Sequence, residues 1–222
     1  MQLNSQKKQT QICKVCFKEF KNDSFHSVLN DMSICSSCLK NYEPKFKSFK
    51  FNGIEVLSIY EYKNLIKEKL FVYKGCFDYE LFSTFLNQYS LELNQKYRGY
   101  NIVFIPSNKK SDKKRGFNHV IEMFSFLKLN KLDILVKVGD DKQAKNSYRK
   151  RKDAGKHIVL SKKIDLTGKK ILIVDDVITT GSTLFAAINE LRKLNPKVIK
   201  ALVMSKREFD FRYNKFKMDV IQ

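Results

Sequence analysis

From residue 55 onward the apolar positions alternate between short runs and helical spacings. The stretch 56–60 predicts a strand, followed by a helix near 65–72 and another over 79–93, where Leu81, Phe82, Phe85, Leu86 and Tyr89 recur at helical spacing. A strand at 102–105 is stopped by Pro106, and 107–115 reads as a basic loop. A helix over 118–129 turns Ile121, Phe124, Phe126 and Leu127 inward, and 134–138 forms a further strand. After Lys170, the run Ile171-Leu172-Ile173-Val174 has the continuous apolar character of a central parallel strand. A helix over 182–194 with Leu184, Ala187, Ile188, Leu191 and Leu194 on one side, then a strand over 198–204, complete the pattern. Strands alternating with helices predict an α/β domain over 49–222, with a mostly parallel sheet flanked by helices. Residues 1–48 have few large apolar side chains and form a separate small module.

Composition narrows the partners. The 222 residues carry 43 Lys+Arg against 23 Asp+Glu, a net charge of +20. Such an excess points to nucleic acid, phosphorylated ligands or an anionic surface. A lysine-rich composition can also arise from codon bias alone, so the distribution says more than the total. Between Lys142 and Lys163 there are nine basic residues and one acid, Asp153, and a second cluster runs Lys109, Lys110, Lys113, Lys114, Arg115. No stretch approaches the roughly 18 apolar residues of a membrane span. With a polar N-terminus, the expected location is the cytoplasm.

Four of the five cysteines form two pairs, Cys13-x2-Cys16 and Cys35-x2-Cys38, separated by 18 residues. Each turn can present two thiolates to one ion, and the segment between returns the second pair to it, giving the tetrahedral S4 site of a zinc ribbon. Metal binding would supply most of the folding free energy of so small a module. Two disulfides are the alternative, disfavoured in a reducing cytosol. Phe17, Phe20, Phe25 and Tyr42 could stack on bases, but the simpler expectation is that they pack the module and dock it onto the next domain. Cys76, unpaired, reads as a small buried hydrophobe and His26 as a surface residue.

The densest chemistry follows strand 171–174, where the chain reads Val174-Asp175-Asp176-Val177-Ile178-Thr179-Thr180-Gly181-Ser182-Thr183. Ligands of open parallel sheets bind at the carboxyl ends of strands. Gly181 permits close backbone approach, amides at the start of the next helix favour an anion, and the hydroxyls of Thr179, Thr180, Ser182 and Thr183 add donors. Paired carboxylates accept hydrogen bonds from vicinal hydroxyls, so the segment describes a site for a ribose 5-phosphate. Each feature alone could be only a strand end or a helix cap.

This segment resembles the 5-phosphoribosyl-1-pyrophosphate (PRPP) signature of type I phosphoribosyltransferases. The resemblance implies that Asp175 and Asp176 bind the ribose hydroxyls, that Thr179, Thr180, Gly181, Ser182 and Thr183 hold the 5-phosphate, and that Mg2+ accompanies the pyrophosphate. Thr179 stands where hypoxanthine and guanine enzymes usually carry an aspartate, which argues against purine salvage of that type. A narrower resemblance covers most of the chain: the four-Cys module, Tyr60-Glu61-Tyr62, Lys74-Gly75, Pro106, Arg115-Gly116-Phe117-Asn118, Gln143 and Arg151, then the PRPP motif. This order is similar to the ComF family of natural transformation, from which Asp153-Ala154-Gly155 and His119 depart. The stretch from Lys109 and Lys110 to Arg115 resembles a pyrophosphate loop, and 142–163 resembles the loop that closes over PRPP, with Arg151 the expected stabiliser of transition-state charge.

The resemblance implies a competence protein that binds PRPP, Zn2+ and Mg2+ and handles single-stranded DNA, with other competence or recombination proteins as partners. A phosphoribosyltransferase with an acceptor the sequence does not name, and a PRPP-sensing nucleic-acid-binding regulator, are the alternatives.

Overall fold

The computed structural model describes residues 10–21, 30, 32–138, 157–208 and 218–220. The chain begins with a hairpin, β1 (Thr10–Ile12) and β2 (Glu19–Lys21), followed by α1 (Ser36–Tyr42). A seven-stranded sheet forms the body. Its strands are β3 (Lys47–Phe51), β4 (Ile54–Glu61), β5 (Tyr100–Phe104), β6 (Asn130–Lys131), β9 (Lys170–Ile178), β10 (Val198–Lys206) and β11 (Met218–Val220), in the order β11-β3-β4-β10-β9-β5-β6. Pairing is parallel from β4 to β6, while β3 pairs antiparallel with β4 and with β11. The expected mostly parallel sheet is present. A separate antiparallel ribbon joins β7 (Leu135–Val138) to β8 (His157–Leu160).

The apolar run at 171–174 works as a central strand because both faces of β9 are covered. Leu172 and Val174 meet Tyr73, Phe85 and Phe124 on one side; Ile171 and Ile173 meet Leu184, Ile188 and Leu191 of α7 (Ser182–Arg192) on the other. The first face carries α2 (Asn64–Gly75), α3 (Phe82–Leu86), α4 (Ser90–Lys96) and α6 (His119–Met123).

Several expectations change; the helix expected over 118–129, for one, is helical only over His119–Met123. The helix over 79–93 is broken into α3 and α4 by 3-10 turns at Tyr79–Leu81 and Asn87–Tyr89. The reason is local: the Phe85 carbonyl accepts from the Tyr60 hydroxyl at 2.7 Å and from Gln88 Nε2 at 2.8 Å, so buried side chains take a carbonyl of the helical ladder. The stretch read as a basic loop contains helix α5 (Lys109–Arg115), started by the Asn108 side chain accepting from the Ser111 amide and ended by Gly116 at φ 86°. Cys76, expected inside, is exposed at the end of α2.

Candidate functional site

The site lies where the sheet's connections diverge. After β5 the chain passes to β6 on one side, whereas after β9 it passes through α7 to β10 on the other. The crevice at the carboxyl ends of β5 and β9 is therefore a topological switch point. A cleft of about 520 Å³ opens there, lined by Asp175, Asp176, the turn 179–183, residues 105–108 after β5, and Lys74, Arg115 and His119.

Strand β9 runs on to Ile178, so both acids lie within it and successive side chains point to opposite faces. Asp176, 6% exposed, faces the helices of the first layer. Its Oδ2 pairs with the Lys74 ammonium and accepts from His119 Nε2 at 3.1 Å, while Oδ1 accepts from the Val177 amide at 2.7 Å. Burial opposes ionisation of this carboxyl, but the His119 hydrogen bond and the Lys74 charge outweigh it and hold its pKa well below the usual carboxylate range. Asp175 is half-buried and accepts from the Asp176 amide at 2.9 Å. Burial and then the adjacent Asp176 charge push its pKa well above the usual range. The two neighbours are thus shifted in opposite directions.

The turn after β9 has the form expected for anion binding. Gly181 takes φ 75° and, as the N-cap of α7, has no side chain to cap it; of the first-turn amides beside the cleft, that of Ser182 lies 3.4 Å from Thr180 Oγ1. Thr179, Thr180 and Ser182 are exposed there, with the Thr180 and Ser182 hydroxyls 3.1 Å apart, and Thr183 is half-buried.

Lys74, Arg115 and His119 were not singled out as site residues by sequence reasoning. Lys74-Gly75 and Arg115-Gly116-Phe117-Asn118 appeared there as parts of a family pattern, and Arg115 also as the end of the basic stretch likened to a pyrophosphate loop; nothing local reveals a contact spanning 102 residues, as from Lys74 to Asp176. Arg115 Nε donates to the Lys74 carbonyl at 3.1 Å, and its Nη1 reaches His119 Nδ1 at 2.9 Å and Asp112 at 3.2 Å. Lys109 and Lys110 are exposed on α5, while Ser107, Asn108, Ser111, Asp112 and Arg115 from the same stretch line the cleft. Arg151, Gln143, Phe25 and His26 lie outside the described residues.

The sulfurs of Cys13, Cys16, Cys35 and Cys38 lie within 4.8 Å of one another, with Cys16 and Cys35 Sγ 3.9 Å apart, and the thiols are unlinked. Metal–sulfur bonds of 2.3 Å in a tetrahedron place sulfurs about 3.8 Å apart, so the cluster fits one metal ion. Tyr42 docks the module: its ring stacks on Phe85 and meets Tyr60 edge-on, and its hydroxyl lies 3.1 Å from Thr84 Oγ1. Phe20 packs against the same core, whereas Phe17 is 76% exposed.

A parallel sheet with an acidic strand end and a glycine-hinged hydroxyl turn at its switch point defines a phosphoribosyltransferase fold. Residues 84–210 match the phosphoribosyl transferase domain family, and the chain belongs to it. Beyond the domain, the chain is similar to competence protein ComFC of Streptococcus pneumoniae, 32% identical over 143 residues, covering 64% of this chain and 62% of that protein. It is also similar to ComFC of Bacillus subtilis, 30% identical over 133 residues, 59% of this chain and 55% of the relative. The match thus spans less than two thirds of either relative. Among solved structures, a hypoxanthine-guanine phosphoribosyltransferase from Bacillus anthracis aligns with a TM-score of 0.37 at 19% identity, covering 59% of this chain and 70% of that one. Among the described residues no helix is long and apolar enough to cross a membrane.

Proposed function

We propose that this protein binds PRPP in the cleft and acts in the cytoplasm as a ComFC-like protein of natural transformation, with single-stranded DNA as its second ligand. The observation that carries the reading is the meeting of the acidic pair and the glycine-hinged turn at Gly181 in one cleft. In this reading Thr179, Thr180, Gly181, Ser182 and Thr183 take the 5-phosphate, Asp175 and Asp176 take the ribose hydroxyls, and the diphosphate extends toward the 107–115 stretch. Exposed Lys109 and Lys110 attract the anion from the rim. Arg151 acts from the stretch that connects β7 to β8, whose residues Val138 and His157 pair with each other.

The residues fit Mg2+ carried by the diphosphate rather than caged by protein. Asp176 is already engaged by Lys74 and His119, and Asp112 by Ser107, Arg115 and Asn118, which leaves Asp175 as the cleft carboxylate to hold the ion; Mg2+ typically binds through one or two carboxylates plus substrate phosphates. When bound, the ion neutralises charge on the pyrophosphate. Zn2+ is the metal proposed for the four cysteines.

Phosphoribosyl transfer is the second reading. It is favoured by the apolar wall of Tyr62, Leu70 and Phe71 in the same cleft, where Phe71, at 66% exposure, offers a face to a planar acceptor. Pyrophosphate release on adding an acceptor is its test.

For the DNA role, anisotropy of a labelled oligothymidylate is measured at stepped salt, with and without PRPP and Mg2+. The proposal expects affinity that falls steeply with salt and changes when PRPP is present. Absence of binding at low salt contradicts it.

A further inference from the structure

We propose that Arg115 positions the carboxylate of Asp176 through His119, by keeping the imidazole a single-proton donor aimed at Asp176 Oδ2; the role in ligand binding rests on the PRPP reading above. A guanidinium has donors only. With Arg115 Nη1 2.9 Å from His119 Nδ1, that nitrogen must accept, and the ring proton must sit on Nε2, 3.1 Å from Asp176 Oδ2. A second ring proton would face the guanidinium directly.

The chain is anchored at both ends. The Arg115 side chain is 7% exposed and is fixed by the Lys74 carbonyl and by Asp112. Asp112 in turn accepts from Ser107 and from Asn118 Nδ2, the latter at 3.1 Å. The His119 carbonyl accepts from the Tyr73 hydroxyl at 3.0 Å, which fixes the base of the ring. The groups around the imidazole are thus Arg115, Asp176, Lys74 beyond it, and the Tyr73 hydroxyl at its backbone.

The consequence falls on Asp176. A carboxylate offers about four lone-pair sites, and three are filled here by Lys74, His119 and the Val177 amide. The remaining site, on Oδ1, is directional and can accept one ribose hydroxyl. Without the Arg115 contact the ring would be held at one nitrogen only, and its Nε2 donor would be free to turn away from Oδ2.

The test starts with the unaltered protein, loaded with zinc and labelled with 15N. Long-range proton–nitrogen correlations of imidazoles report which ring nitrogens carry protons, and the chain has only 3 histidines. The signals lost in His119→Gln identify His119. The expected result at neutral pH is a proton on Nε2 and none on Nδ1; a proton on Nδ1 overturns the proposal. Arg115→Met is expected to change the Nδ1 signal and to bind PRPP with Mg2+ about tenfold more weakly, because a ring no longer held at Nδ1 turns its donor off Asp176, the loss of roughly one charge-assisted hydrogen bond. Arg115→Met/His119→Gln is expected to recover most of that affinity, because the Gln amide donates to Asp176 without help from position 115. A double variant no better than Arg115→Met overturns the proposal, with thermal melts confirming that both variants fold. Failure of the unaltered protein to bind PRPP would remove the ligand reading alone, since the resonance measurement needs no ligand.

Discussion

A Cβ placed on Gly181 would lie 2.5 Å from Cζ of Phe51, a fully buried ring on β3. The turn after β9 is therefore seated on a strand at the antiparallel side of the sheet, more than a hundred residues earlier in the chain. Gly181 also holds φ 75°, which a side chain would strain. Gly181→Ala is expected to lower stability by about 1–3 kcal/mol and to weaken PRPP binding by displacing the turn. Denaturant unfolding and calorimetry on the same variant check both parts.

The four-cysteine cluster is tied to more than its own module. Cys13, Cys38, Ile34 and Tyr42 belong to the same buried cluster as Leu57, Tyr60 and Phe85 of the main domain. Removing the ion with a chelator, or Cys38→Ser, is expected to lower the melting temperature and expose that face to a hydrophobic dye. Tyr42→Phe is expected to keep one zinc per chain and to cost about 1 kcal/mol, the loss of its hydroxyl contact with Thr84. Metal analysis with thermal unfolding separates the two.

What the sequence made legible is what chemistry compresses into short spacing: the two C-x2-C pairs, the Asp175-Asp176 pair and the turn through Thr183. Helix α5 escaped because it buries no residue, so no apolar periodicity marks it; only the Asn108 cap and Gly116 carried the signal. Strand β3 escaped for a related reason. Its Phe49 and Phe51 alternate with lysines and serine over five residues, too short a run to distinguish from a loop. The Lys74, His119 and Arg115 cluster is a tertiary product, assembled from α2, α6 and α5.

The unequal charge of the acidic pair has a sign. Asp175 is held above its ordinary range in the free protein, while binding Mg2+ or ribose hydroxyls favours its ionised form. Binding should release a proton and tighten as pH rises through the Asp175 titration. Calorimetry in two buffers of different ionisation enthalpy counts that proton; a count of zero would contradict the assignment.

Glu61 gives an acid-stability prediction away from the cleft. Lys47 at 2.5 Å and Lys63 at 2.6 Å lower its pKa from 4.5 to about 2. A depressed carboxyl stabilises the fold fully above its unfolded pKa and loses that contribution as pH falls through the folded one. Glu61→Gln should therefore flatten the stability curve between pH 4.5 and about 2. The two lysines are exposed, so the loss near neutrality is about 1 kcal/mol or less. Denaturant midpoints across that window measure it.

The central claim is the PRPP site, and titration calorimetry of PRPP with Mg2+ into the zinc-loaded protein addresses it most directly. The account predicts saturable binding that is lost in Asp175→Asn/Asp176→Asn. Absence of binding to the unaltered protein, or equal binding to the double variant, would contradict it.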